Sequence, residues 1–213
     1  MNAEIDPLEP TQVLSASEPE ALEVALEVLQ QGGLVAFPTD TVYGLGALIQ
    51  RPQAIEQLYR VKGRESSKAI PVLLGNLDEM MRVALQPRGW ALRLAERFWP
   101  GPLTLVVPKN PVLPAILSPL PTIGVRMPDH PTALALLRRT GPLAVTSANL
   151  SGGASTVTAG EVLEQLQGRI PLILDGGRTP GGTPSTVVDC SGEEPKILRP
   201  GPISLEDLLQ ALG

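Results

Sequence analysis

Cys190 and His130 are the only cysteine and the only histidine among 213 residues. No intrachain disulfide can form, no Cys/His zinc set can be assembled, and neither a Ser-His-Asp nor a Cys-His relay has its usual parts. The glycine fingerprints are missing too: there is no GxxxxGK[ST] loop, no GxGxxG and no GxSxG elbow. No uninterrupted apolar run approaches the roughly 20 residues of a membrane-crossing helix. The opening MNAEIDPLEPTQ is acidic, where an export signal is basic and then apolar. Excess positive charge is lacking as well, since 22 acids against 17 bases give a net charge of −5. That excludes a surface that coats nucleic acid all over and leaves room only for local basic sites. These absences predict a soluble, cytoplasmic protein with no metal cage of its own, whose chemistry rests on positioning and charge neutralisation.

What is present is punctuation. Twenty-three prolines and 21 glycines are spread along the chain instead of pooling in a linker, and 43% hydrophobic residues suffice for a buried core. Residues 1–213 read as a single domain with its core at about 15–203. SEPEALEVALEVLQQGG carries a Ser17/Glu20 capping-box pattern, sets Leu22, Ala25, Leu26 and Leu29 on one helical face, and stops at Gly32 and Gly33. Short apolar runs follow, LVAF, AIPVLL, LTLVV, IGVRM, LAVTS, PLILD and STVVD, each of the kind expected for a covered strand. Helical patterns alternate with them: PQAIEQLYRVK, LDEMMRVAL, GWALRLAERF, HPTALALLRR, TAGEVLEQLQ and SLEDLLQAL. The alternation predicts an α/β domain, and hairpin-like neighbours around Val187 and Ile197 predict that its one sheet is mixed.

Polar clusters adjoin the strand ends, where open α/β sheets bind ligands. In PTDTVYG, Thr39 and Thr41 would share a face of an extended segment, as a pocket wall or as the turn that follows Pro38. VKGRESSK gathers Lys62, Arg64 and Lys68 around a glycine and two serines, a cradle for a triphosphate or a solvated basic loop between a helix and a strand. TSANLSGG ends a strand with Ser147 and Asn149, suited either to a nucleotide or to an Asx or Ser turn. Arg126, inside the apolar IGVRMP, needs an anion, which is either a structural acid or a substrate carboxylate.

FPTDTVYGLGA, KGRESSK, FWPGPLTLV, VRMPDHP, TSANLSG, and STVVD followed by LRPG occur in that order. Together they resemble the signature segments of the YrdC/TsaC family of threonylcarbamoyl-AMP synthases, from the first helix to RPGPIS. The family's KxR loop often continues with proline, whereas Glu65 stands here. The resemblance implies a YrdC-like twisted mixed β-sheet with flanking helices and a concave pocket, in the short form without the second domain that closes over the site in longer relatives. It also implies a reaction that joins L-threonine, bicarbonate or CO2, and ATP into L-threonylcarbamoyladenylate and pyrophosphate, with Mg2+ carried on the ATP. The product would pass to a threonylcarbamoyl transferase complex that modifies tRNA, and a weak contact with tRNA itself is part of the expectation. By the same resemblance Thr41, Arg126, Ser147 and Ser185 line the threonine side. Lys62, Arg64, Lys68, Thr122, Asn149 and Arg199 line the ATP side, with Lys62 and Arg64 catalytic. Two other classes fit parts of the pattern, a carbamoyl-transfer relative and a non-catalytic module that binds RNA.

Overall fold

The computed structural model describes residues 10–213, so most of the acidic opening segment lies outside the described residues. The first half runs β1 (Gln12–Ser15), α1 (Ala21–Gln30), β2 (Val35–Phe37), β3 (Gly44–Leu48), α2 (Pro52–Lys62), β4 (Val72–Leu73), α3 (Met80–Val83) and α4 (Gly89–Phe98). The second runs β5 (Leu103–Pro108), β6 (Thr122–Arg126), α5 (Pro131–Thr140), β7 (Leu143–Ser147), α6 (Ala159–Leu166), β8 (Leu172–Asp175), β9 (Thr186–Asp189), β10 (Lys196–Arg199) and α7 (Leu205–Leu212). All ten strands join one sheet in the order β1-β8-β2-β3-β7-β4-β6-β5-β9-β10. The pairs β1/β8, β2/β8, β4/β6 and β5/β9 are parallel and the other five antiparallel, which is the expected α/β mixed sheet. The hairpin-like pair is there, with Ile197 opposite Val188.

Because side chains alternate across a strand, each strand feeds two cores. Ala36, Leu45 and Ala144 face the larger one, covered by α2, α4, α6 and α7, while Val35, Phe37 and Val145 face a smaller one under α1 and α5. The apolar face expected for α1 is used this way: Ala25, Leu26 and Leu29 are buried and Leu22 packs at the edge.

Two expectations are corrected. The Ser17/Glu20 capping box does not form, because the hydroxyl of Ser17 turns back to that of Ser15 at 2.7 Å and α1 starts only after Glu20, with no side-chain cap. Side-chain capping boxes appear instead at Asn76/Glu79 and Ser204/Asp207. The helix expected over LDEMMRVAL shrinks to a 3-10 turn at Leu77–Glu79 and the single turn of α3, after which Ala84 is extended and bridges Lys109. GLGAL, which is not among the apolar runs expected as strands, forms strand β3. A side chain at Gly44 or Gly46 would press to 2.8 Å from Val145 Cγ1 or 2.9 Å from Phe37 Cε1, so these glycines make room for packing within the sheet.

Candidate active site

A cleft of about 370 Å³ opens where β3, β5, β6, β7, β9 and β10 bring their polar ends together. Thr39 builds its first wall. The Thr39 hydroxyl donates to Val42 O at 2.6 Å and accepts from the backbone N–H groups of Thr41 and Val42 at 3.2 and 3.3 Å. The segment is therefore a tight turn after Pro38, one of the two alternatives the sequence left open. The turn brings the two threonine hydroxyls to 3.0 Å, and since Thr39 gives its proton to Val42, the Thr41 proton points at Thr39. Thr41 Oγ1 is left as an acceptor facing the cleft, where Arg126 Nη1 donates to it at 3.0 Å.

Arg126 closes β6 and is 6% exposed. Its Nε donates to Gly101 O at 3.0 Å and its Nη2 is paired with Asp40 Oδ1, which also takes the Asp129 N–H at 3.1 Å. Burial, with Arg199 adding to it, works against the guanidinium's charge, and Asp40 supports it. Asp40 is thus the anion that the sequence demanded of Arg126, and two of the five N–H groups remain for a second one. Of the two alternatives left open by the sequence, the structural acid is the one present, and it leaves those two N–H groups free.

Ser147, at the end of β7, borders the cleft, and the loop after it is fixed from beneath. Lys62 is buried at 3% exposure and is the last residue of α2, not a member of the polar loop where the sequence put it. Its ammonium donates to the carbonyl oxygens of Ser147 and Asn149, and its own carbonyl takes the Ser151 N–H at 2.8 Å. Burial, with help from Arg64, pulls its pKa down to about 8. Asn149 folds its amide back onto Leu150 O at 2.7 Å and Gly153 O at 3.0 Å, leaving its buried Oδ1 without a partner. Arg64 follows Gly63, whose φ of 61° ends α2 in the left-handed region that glycine tolerates. From there Arg64 lines the cleft and ties its loop by donating to Ala69 O at 2.9 Å.

The opposite wall comes from β9 and β10. Ser185 Oγ meets Thr104 Oγ1 at 2.8 Å, and Arg199 donates to Ser185 through Nε and Nη2 at 2.8 to 3.1 Å. The turn that carries Arg199 needs Gly201, because any side chain there would run into the backbone of Ser185 and Thr186.

Of the ten residues expected at the site, Thr41, Arg64, Arg126, Ser147, Ser185 and Arg199 line the cleft. Lys62 and Asn149 lie behind the Ser147 loop. Lys68 and Thr122 are not on the wall: Lys68 is exposed and reaches Glu65 at 3.8 Å, and Thr122 begins β6, four residues before Arg126. Thr39, raised with Thr41 as a pocket wall, lines the cleft, whereas Asp40 and Thr104 were missed. The demand of a buried arginine for an acid pointed to Asp40, whereas nothing local pointed to Thr104. Among the described residues no group of three His, Cys, Asp or Glu side chains converges as a metal site, and no helix is long and apolar enough to cross a membrane.

The mixed α/β sheet thus holds three arginines and four or more hydroxyls around one cleft, a lining with the chemistry to receive small anionic molecules. Residues 27–201 match the Sua5/YciO/YrdC family, described as telomere recombination, and the chain belongs to that family. It is 41% identical over 206 residues to the threonylcarbamoyl-AMP synthase of Bacillus subtilis, covering 95% of this chain and 59% of that protein. It is 38% identical to a putative threonylcarbamoyl-AMP synthase of Mycobacterium tuberculosis, covering 95% of this chain and 96% of the other. The crystal structure of Pyrococcus abyssi Sua5 complexed with L-threonine superposes with a TM-score of 0.91 at 38% identity, over 95% of this chain and 61% of that one. The chain therefore spans a little under two thirds of several relatives it matches.

Proposed function

We propose that this chain is an L-threonylcarbamoyladenylate synthase. The observation that carries the reading is Arg126: a buried guanidinium on a cleft wall with two N–H groups to spare, beside the Thr41, Ser147 and Ser185 hydroxyls and across from Arg64 and Arg199. The two spare N–H groups suit a carboxylate, and the hydroxyls suit the ammonium and hydroxyl of the same zwitterion. Arg64 and Arg199 suit the phosphates. The P. abyssi relative, solved with L-threonine, supports the amino-acid half.

In this mechanism the threonine ammonium loses one proton to solvent, its nitrogen bonds to the carbon of CO2 as a C–O π bond opens onto oxygen, and a second proton leaves the nitrogen to give an N-carboxylate. One carboxylate oxygen then bonds to the α-phosphorus of ATP as the bond to the β-phosphate oxygen breaks, and pyrophosphate leaves with the electron pair. Threonine held by Arg126 and ATP held by Arg64 and Arg199 meet in line, so positioning supplies most of the acceleration. Lys62 holds the Ser147 loop at its working height from behind. Asn149 ties the same loop back on itself through Leu150 O and Gly153 O. Mg2+ enters with the ATP: the charged side chains on the cleft wall are guanidinium groups, which fit phosphate oxygens and leave the ion to them. We place the reaction in the cytoplasm, ahead of a transferase complex that moves the threonylcarbamoyl group to tRNA.

Pyrophosphate release from ATP by the purified chain tests this. It is expected to require both threonine and bicarbonate, and release that continues undiminished without threonine overturns the assignment.

A further inference from the structure

Tyr59 lies three residues before the end of α2, 6% exposed in the larger core, and it touches both ends of the basic loop 64–68. Its backbone carbonyl accepts the Arg64 N–H at 2.9 Å, and its hydroxyl donates to Lys68 O at 3.1 Å. The same hydroxyl lies 3.1 Å from Ile116 O, in the single 3-10 turn Ala115–Leu117, so one proton serves two carbonyl groups. Just beyond the loop, the Ile70 N–H donates to Leu117 O of that turn at 2.8 Å. Burial raises the pKa of the phenol and Arg64 opposes that rise, so the group keeps the proton it donates. A buried hydroxyl has to be bonded, and here both partners belong to the main chain, so the bond fixes the path of the loop itself.

The stretch that Tyr59 holds is the one that orients Arg64. Arg64 Nη2 donates to Ala69 O at 2.9 Å, and its Nε leans on Lys68 O at 3.4 Å. Arg64 and Ala69 line the cleft, whereas the Lys68 side chain stays outside, so Lys68 serves through its carbonyl. We propose that Tyr59 is a positioning residue for the nucleotide: it closes the basic loop at both ends and thereby keeps the Arg64 guanidinium on the cleft wall. This rests on the assignment of Arg64 to the phosphates made above. Without the hydroxyl, the Lys68–Ala69 stretch is released from the Ala115–Leu117 turn, and Arg64 loses the fixed carbonyls that aim it.

Tyr59→Phe keeps the ring in the core and removes the hydroxyl alone, so its thermal midpoint should stay within a few degrees of the wild type. Hydrogen–deuterium exchange of the whole chain reads the loop directly. The amides of 64–70 should exchange about tenfold faster in the variant, with those of 52–58 and of β3 unchanged. Unchanged exchange over 64–70, or faster exchange throughout, overturns the proposal whatever the chain makes. Calorimetry with Mg2+-ATP and with threonine checks the functional consequence. The Kd for ATP should rise about five- to tenfold and that for threonine less than about twofold, and in an Arg64→Ala background the same substitution should add less than about twofold. Equal losses for both ligands, or the full loss repeated in that background, overturn the route through Arg64. Failure of the wild type to bind ATP sinks the proposed reaction and the route to the phosphates with it, while the exchange result still decides whether Tyr59 holds the loop.

Discussion

Lys62→Met removes the ammonium beneath the Ser147 loop while keeping most of the stem's volume, and two opposing terms set its effect. Burial lowers the lysine's pKa from 10.5 to about 8, so holding the charge in the fold costs about 3 kcal/mol at pH 7. Against this, the carbonyls of Ser147 and Asn149 lose a charged donor, at about 1–3 kcal/mol each. The terms nearly cancel, and the variant should lie within about 2 kcal/mol of the wild type at pH 7. The sharper outcome concerns pH. The unfolded lysine binds its proton up to 10.5 and the folded one only to about 8. Between those values the unfolded state holds more protons, so rising pH relieves the cost and stabilises the wild type relative to the variant. From pH 7 to pH 10 the relative gain is about 2–3 kcal/mol. Burial holds Tyr43 and Cys190 up at about 12, which erodes stability at alkaline pH in both proteins and cancels in the difference. Urea unfolding of both proteins at pH 7, 8.5 and 10 measures it, and parallel pH profiles would refute the buried ammonium. Turnover should fall at least tenfold in the variant even where stability is matched, because the Ser147 loop loses its tie.

Arg126→Lys should weaken threonine binding by more than about tenfold and ATP binding much less, since an ammonium cannot give a two-point contact to a carboxylate while also serving Asp40, Thr41 and Gly101. Calorimetry with each ligand checks this, and equal losses would make Arg126 purely structural. Arg64→Ala should cost about one to two decades in ATP affinity, as one charge-assisted phosphate contact is lost, with a thermal midpoint within a few degrees of the wild type. A collapsed midpoint would assign the arginine to holding its loop through Ala69. Lys68→Ala should change turnover less than about twofold, for its one ion pair, to Glu65, is exposed and lies off the cleft wall. A severe loss would mean that the loop swings Lys68 inward.

The strands that carry the site were legible because they are short apolar runs covered on both faces, and LTLVV, IGVRM and LAVTS landed in the centre of the sheet. GLGAL was not, since two glycines erase the β-branched signature and their reason, the bulk of Phe37 and Val145, comes from neighbouring strands. Arg126 announced itself as a charge in an apolar run. Its partner was adjacent in space but 86 residues away in sequence, and periodicity carries no information about such a pairing. Lys62 was misplaced for a related reason: a lysine at the end of a helical pattern reads as solvated, and only the tertiary arrangement supplies the carbonyls that let it be buried. The false capping box at Ser17 shows the converse, a local signal overridden when Ser15 offered a nearer partner.

The bonds that tie one wall of the cleft to another join distant parts of the chain: Arg126 to Thr41 across 85 residues, Lys62 to Asn149 across 87, Ser185 to Thr104 across 81. Contacts of such range pay the full entropy of loop closure before they return anything, so they form late in folding, after the helices and the nearest strand pairs. The cleft is thus a product of completed topology. During refolding, recovery of ligand binding should trail recovery of the helical signal, and simultaneous recovery would show that the walls are already in register in the transition state. A bound ligand that touches β3, β6 and β10 at once would then act as a clasp on the finished sheet, holding together segments that no local turn connects.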